Sequence, residues 1–384
     1  MNRYRVIIVS ATLLTAAVLS ISAGMSSAAE IKARSGFFFD WFTGSGHSHA
    51  WQRAAEATKG YQFSIPVKIE LDFQKFSAGI LAGAARTQFN LAQGEKIYMT
   101  NTLDTRLNLA YPITDQLPVD ILLGLDLNLP TGRTDLKEKE LVFIGNPDIV
   151  SITNFGEGLN INPTVSLAKE WTSWAAGLGL GYVFRGKYDY CETVRDYDPG
   201  DIVNLTTQVN YNFLTSYQAR LFADYAYFTK DTKRGKDSFQ EGNFLRLGFG
   251  LNYSQTRWDA QASLQSILRG KSKSIEEEPA PAFTTEDKNR HGDEWIAGIS
   301  GRYSLNDQTS LKSQMEFLWA DENDYLRTDP LYLGKKQKLS LGAGAGWQIT
   351  SRLDADAMLK GFLLKNNDRD YQGASLIARL IASF

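Results

Sequence analysis

Residues 97–129 read Ile97-Tyr-Met-Thr-Asn-Thr-Leu-Asp-Thr-Arg-Leu-Asn-Leu-Ala-Tyr-Pro-Ile-Thr-Asp-Gln-Leu-Pro-Val-Asp-Ile-Leu-Leu-Gly-Leu-Asp-Leu-Asn-Leu129. In the first arm Ile97, Met99, Leu103, Leu107, Leu109 and Tyr111 hold odd positions, and Thr100, Thr102, Asp104, Arg106 and Asn108 even ones. In the second, Val119, Ile121, Leu123, Leu125, Leu127 and Leu129 are odd, with Asp120, Gly124, Asp126 and Asn128 between them and Leu122 out of phase. Side chains alternate along a strand, so each arm has one apolar and one polar face. A turn at Tyr111–Leu117 joins the arms. Soluble strands average about 5–6 residues, and strands tilted across a bilayer need roughly 9–11. Both arms meet the longer requirement. The pattern predicts a membrane barrel with lipid outside and a polar interior.

Working outward, Met1–Ala29 has the parts of a secretory signal: Arg3 and Arg5, the apolar stretch Val6–Ile21, and the small residues Ser27, Ala28 and Ala29. No later run is apolar enough for a spanning helix, and mean hydropathy is negative, as a barrel permits. The lone Cys191 rules out an intramolecular disulfide and a Cys-x-x-Cys-His haem site. Formal charge is −2 on the whole chain, so no nucleic-acid partner is expected. Glu30–Lys59 is taken as a separate N-terminal segment. It holds a possible first strand, Ile31–Phe42, and a short helix, His49–Lys59, with Trp51, Ala54 and Ala55 on one side.

From Gly60 to Phe384 the alternation is nearly unbroken, and connections alternate between short turns and long charged loops. Short ones include Ala168–Ser173, Asn212–Tyr217, Ser254–Trp258, Leu305–Thr309 and Ile349–Leu353. Long ones include the stretch to Gly158, Gly186–Asp201, Lys230–Gly242, Gly270–Asp293 and Ala320–Gln337. Outer-membrane barrels have short periplasmic turns and longer outer loops. Tyr111, Tyr211, Tyr253, Tyr303 and Trp347 precede short turns, as an interfacial girdle requires. The closing strand carries Leu376, Ala378, Leu380 and Ala382 at alternate positions and ends on Phe384. That ending resembles the signal that bacterial barrels present to their assembly machinery. The fold class is therefore all-β: a transmembrane antiparallel up-and-down barrel of about 14–16 strands, exported to the bacterial outer membrane.

Charges lie opposite in phase to the apolar faces. Lys68, Arg106, Arg220, Arg246, Arg302, Lys312, Lys360 and Arg379 are basic; Glu70, Asp104, Asp126, Asp224, Glu316 and Asp356 are acidic. On the lipid face each basic residue near the midplane would cost roughly 2–4 kcal/mol, so these positions are expected to line a pore. In the simplest hairpin register Leu109 pairs with Ile121, Asp104 lies opposite Asp126, and Arg106 completes a constriction. A wall ladder of solvated charges is the alternative. The histidines His47, His49 and His291 fall in ends and loops. Neither a His291–Ser272 or His291–Ser274 hydrolase site nor a His47/His49 metal site is expected, and no cofactor is. The segments Glu276–Pro281 and Tyr188–Pro199 read as solvated loops.

The run Leu125-Asp-Leu-Asn-Leu-Pro-Thr-Gly-Arg133 resembles a feature of the outer-membrane transporter family associated with phenol-degradation pathways. The likeness extends loosely from Ile97 to Phe384 and includes the Gly177-Leu-Gly-Leu-Gly-Tyr182 strand. It implies passive uptake of small molecules, aromatic ones among them. Two readings of the interior stay open. One is an open channel passing small solutes by diffusion. The other is a sheath or receptor around a partner, such as an electron-carrying cytochrome. Expected partners are outer-membrane lipids, the assembly machinery, small solutes, and a second copy or a lumenal or periplasmic protein.

Overall fold

The computed structural model describes residues 29–46, 57–73, 75–91, 94–114, 116–144, 146–276 and 282–384. Its first wall strand, β1 (Ala29–Gly46), hydrogen-bonds to β2 (Ala57–Phe73) on one side and to the last strand, Arg369–Ser383, on the other. The sheet therefore closes on itself without a free edge, the condition for crossing hydrocarbon with strands. Between these lie β3 (Phe76–Leu91) and β4, in two pieces, Lys96–Thr102 and Thr105–Ile113. They are followed by β5 (Asp120–Leu129), β6 (Asn160–Glu170), β7 (Trp174–Arg185) and β8 (Ile202–Phe213). Next come β9 (Tyr217–Phe228), β10 (Phe244–Ser254), β11 (Trp258–Arg269) and β12 (Glu294–Ser304). The wall ends with β13 (Thr309–Ala320), β14 (Lys336–Thr350), β15 (Leu353–Asn366) and β16 (Arg369–Ser383). The sheet has 17 segments, two of them successive pieces of β4, which leaves 16 antiparallel wall strands.

The alternation produces this wall directly. Leu221, Ile299, Leu359 and Leu363 point outward and are 58–61% exposed, an arrangement costly in water but suited to lipid. Near the short turns the aromatics pair across strands: Trp174 with Tyr211 at 4.2 Å, Tyr217 with Tyr253 at 4.9 Å, and Trp258 with Tyr303 at 4.5 Å. The C-terminal Phe384 exchanges backbone hydrogen bonds with Ile31 on β1, so the last residue helps to close the seam. No helix among the described residues is long and apolar enough to span a membrane.

Three expectations are corrected. The opening hairpin pairs Leu109 with Leu125, not Ile121, because the strand runs through Pro112 to Ile113 and the turn begins beyond it. Asp126 therefore faces Asn108, and Asp104 does not face Asp126. The first arm is also broken. Thr87 pairs with Met99, whereas Ile80 pairs with Leu107, so β4 gains one residue around Leu103 and Asp104. A one-residue bulge exchanges the two faces. Ile97 and Met99 consequently point inward and are buried, and do not face lipid. Finally, Ala57–Lys59 begins β2 and is not helical. The remainder of that helix, with Trp51, Ala54 and Ala55, lies outside the described residues, as do the signal segment, His47, His49 and residues 277–281.

Inside the long-loop half sits an apolar cluster. Phe42, Phe89, Ile97, Met99, Phe362, Leu364 and Tyr371 of the wall pack with Leu136, Phe143, Ile149, Val150 and Phe155. The second group comes from the connection between β5 and β6, which folds into the barrel. Phe89 lies 5.4 Å edge-on from Phe42 and 5.1 Å from Phe143. Each such buried ring stabilises the packing by about 1.5–3 kcal/mol. Above the wall, Tyr197–Asp198, Asp231–Lys233, Lys236–Gln240, Lys273–Glu276 and Ala282–Thr285 form a separate five-stranded sheet from three outer loops. These stretches, expected from the sequence to be long charged loops, form a sheet not anticipated there.

Candidate functional site: the barrel interior

The motif at the end of β5 builds the base of the inward segment. Thr131 Oγ1 accepts from the Thr105 backbone N–H at 2.8 Å and donates to the Leu103 carbonyl at 3.1 Å. It thus satisfies backbone groups that the bulge removes from the ladder. Gly132 lets the two limbs of the segment touch, since a Cβ there would fall 1.7 Å from the Phe155 carbonyl oxygen. Asp104 holds both limbs. Its carboxylate accepts from Gly132 N at 2.8 Å, Glu157 N at 2.7 Å and Asn128 Nδ2 at 2.7 Å. It is therefore an anchor for the segment and does not join Asp126 and Arg106 in a trio. The run Leu129-Pro-Thr-Gly132, notable in sequence, is thus the hinge from which residues 133–155 turn inward.

The segment then crosses the interior. A short 3-10 helix, Glu138–Phe143, starts where Glu140 accepts from Lys137 N at 2.9 Å and takes both Arg133 guanidinium nitrogens, at 3.1 and 2.6 Å. Further along, Gln62 of β2 treats Ile152 as a strand neighbour would. Its Oε1 accepts from Ile152 N at 2.6 Å, and its Nε2 donates to Ile152 O at 2.8 Å and to Thr87 Oγ1 at 2.9 Å. Asp40 of β1 accepts from Ser151 N at 2.9 Å and from the Ser375 hydroxyl at 2.6 Å. Asp148 forms ion pairs with Lys336 at 2.9 Å and Lys338 at 3.9 Å on β14. Strand β14 lies seven strands around the ring from β5, close to the opposite wall. Buried charges persist only when paired in this way.

Around the rest of the wall the inward positions carry most of the charges singled out in the sequence. Glu70 meets Lys68 at 2.6 Å and Arg34 of β1 at 3.2 Å. Asp126 accepts from Asn108 at 2.5 Å and Asn162 at 3.1 Å. Asp224 pairs with Arg246, and the guanidinium groups of Arg220 and Arg246 lie 5.4 and 5.7 Å from the ring of Phe222 between them. Asp356 takes Arg379 at 3.0 Å and Lys312 at 3.6 Å. Arg106, Arg302, Lys360 and Glu316 make no ion pair among the described residues. Sequence reasoning missed Arg34, Asp40, Gln62 and Asp148. Arg34 and Asp40 fall in the separate N-terminal segment, Gln62 is an uncharged residue just after it, and Asp148 lies in a long loop.

The outer sheet is held by loop chemistry. Burial and the neighbouring Asp231 push the Tyr197 hydroxyl well above its ordinary value, and burial pushes Tyr188 up to about 12. Arg290 holds the Glu286 carboxyl below its usual value, helped by Ser274 and Tyr325. His291 Nε2 lies 3.1 Å from Glu241, and the buried Ser272 accepts from Gly242 N at 3.3 Å, so neither is arranged as a nucleophile–base pair. Among the described residues no three His, Cys, Asp or Glu side chains converge as a metal site would need.

Residues 100–274, 175 of the 384, match the family described as "Putative MetA-pathway of phenol degradation". No curated protein matches the chain by sequence. Solved structures similar to it include OccAB1 of Acinetobacter baumannii, at 8% identity over 92% of this chain and 97% of that one, TM-score 0.47. The P. putida toluene transporter TodX shares 8% identity over 94% and 90%, TM-score 0.39. OccK5 of Pseudomonas aeruginosa shares 10% over 92% and 98%, TM-score 0.42. A closed 16-strand wall, an outward apolar face and paired aromatics near the short turns have one physical setting. The chain is an outer-membrane β-barrel, and over residues 100–274 it resembles the phenol-degradation family.

Proposed function

We propose that the protein is a channel that passes small solutes across the outer membrane by diffusion. The observation that carries this reading is the segment 133–155, which enters from β5 and docks on β1, β2 and β14. A barrel of about 16 strands is wide enough to hold water, and a segment laid across it narrows the path to small-molecule width. The outer half of the interior is occupied by this chain's own residues, which favours a self-narrowed channel over a sheath around a second protein. Around and below the segment, Lys68, Glu70, Arg106, Asp126, Arg220, Asp224, Arg246, Arg302, Glu316, Asp356 and Arg379 form a mixed-charge pore wall. Most of these charges are paired, so the wall offers polar contacts without a strong field of either sign. The family description points to phenol-sized solutes.

The test is uptake into liposomes containing the folded full-length barrel. Phenol and similarly small polar solutes should equilibrate faster than in protein-free liposomes, and a large oligosaccharide should be excluded. Equal rates with and without protein would overturn the reading.

A further inference from the structure

The inward face near the short turns contains one arrangement that the pairing of charges leaves unresolved. Arg302 of β12 stands directly opposite Lys312 of β13 in the ladder. Directly opposed residues have Cβ atoms about 5 Å apart, where like charges destabilise a sheet. Lys312 reaches Asp356 at 3.6 Å, but Asp356 also serves Arg379 at 3.0 Å. Asp259, the ladder partner of Arg302 on its other side, is engaged by the Ser254 hydroxyl at 2.7 Å. Arg302 is exposed and makes no hydrogen bond or ion pair among the described residues. Lys312 therefore shares its one carboxylate with Arg379, and Arg302 has no carboxylate in contact among those residues.

Arg302 and Lys312 also share a space. Both line a cavity of about 570 Å³ at the short-turn mouth, within the roughly 300–1,000 Å³ usual for small-molecule sites. Its floor is opened by Gly346, where a Cβ would lie 3.2–3.3 Å from the end of Lys312 and 3.0 Å from Ser310 Oγ. The cavity's other charged groups are Arg257, Asp307, Asp354 and Asp356. Asp307 lies in the β12–β13 turn and Asp354 pairs with Gln348 next to the β14–β15 turn, so both sit nearer the mouth than Arg302. Arg257 also lies at the rim, in the β10–β11 turn, so the rim carries both signs. Inside, Arg302 and Lys312 face only Asp356, an excess of positive charge that favours a ligand whose negative end points inward.

We infer that this cavity binds a small solute bearing a carboxylate, which Arg302 and Lys312 hold from adjacent strands at the periplasmic mouth. The inference rests on the channel reading and names a solute class for it. A bound carboxylate relieves the Arg302–Lys312 repulsion and accepts charge-assisted hydrogen bonds from both.

The probe is benzoate, with benzyl alcohol as its uncharged counterpart, titrated calorimetrically into the folded full-length barrel in detergent. Saturable benzoate binding is expected, weakened about tenfold in Arg302→Gln and in Lys312→Gln, with much weaker binding of benzyl alcohol. Arg302→Lys should retain most of the affinity. Gly346→Val should abolish binding by filling the floor and crowding the end of Lys312 without removing any charge, which keeps the test available if a charge variant does not fold. Unchanged affinity in Arg302→Gln, equal binding of benzyl alcohol, or no saturable benzoate binding would overturn the inference. Binding is read without ion flow, so absence of transport by the same protein counts against the channel reading separately.

Discussion

Replacing Gln62 with Ala should release the inward segment from the wall. Gln62 is 1% exposed and makes three hydrogen bonds, two to the backbone of Ile152 and one to Thr87 Oγ1. Each contributes about 1 kcal/mol net, and the stranded Ile152 N–H and C=O face an apolar cluster where water is scarce, so the loss is about 3 kcal/mol. That is roughly a 150-fold rise in the detached population. Barrel strands elsewhere keep their ladders, so the effect should be local. The assay is amide hydrogen exchange on the folded barrel: Ile152 and Ser151 should lose protection while β9–β12 keeps it, and single-channel current should become noisier. Gln62→Glu is a sharper version, since it keeps the acceptor for Ile152 N–H but loses both donors and sets a carboxylate against the Ile152 carbonyl. Protection at Ile152 unchanged in both variants would refute the idea that Gln62 holds the segment.

Gly132→Ala should destabilise the hinge by about 1–3 kcal/mol, the usual cost of overpacking, because its Cβ has no room beside the Phe155 carbonyl. A lowered urea midpoint for release of residues 133–155, read by exchange, checks this. The outer sheet should loosen in acid. The Glu286 carboxyl is held below its ordinary 4.5 by Arg290, so the stability it contributes is present above that value and fades as pH falls through the lower folded one. Limited proteolysis of residues 269–294 against pH should show this acid loosening in the wild type, and Glu286→Gln should weaken the dependence.

The wall was legible because each strand repeats its two-residue alternation over many residues, as in Leu353–Asn366, where one shift would turn the outward Leu359 and Leu363 inward. The register of the opening hairpin was not. Pro112 and Ile113 look like turn residues yet continue the strand, and a bulge at Leu103 and Asp104 leaves no local mark that alternation can detect. The inward segment carried one usable sign. Leu141-Val-Phe-Ile144 and Ile149-Val150 are too apolar for a solvated loop, and here they are packed against Phe89 and its neighbours. The outer sheet also had a local sign in Arg234-Gly235, both at positive φ between Lys233 and Lys236, a two-residue hairpin turn. At the site, alternation identified which charges face inward. Which charges meet depends on register between strands far apart in sequence, so the Arg302–Lys312 pair could not be read from either strand alone.

The most direct test of the central claim is single-channel conductance of the full-length barrel in a planar bilayer, beside a variant in which residues 134–155 are replaced by a short Gly/Ser linker. The account predicts small, stable current steps for the intact protein and steps several-fold larger for the variant, because the segment crosses the interior and sets the narrowest passage. A folded barrel that passes no current in either form, or equal conductance with and without the segment, would contradict it.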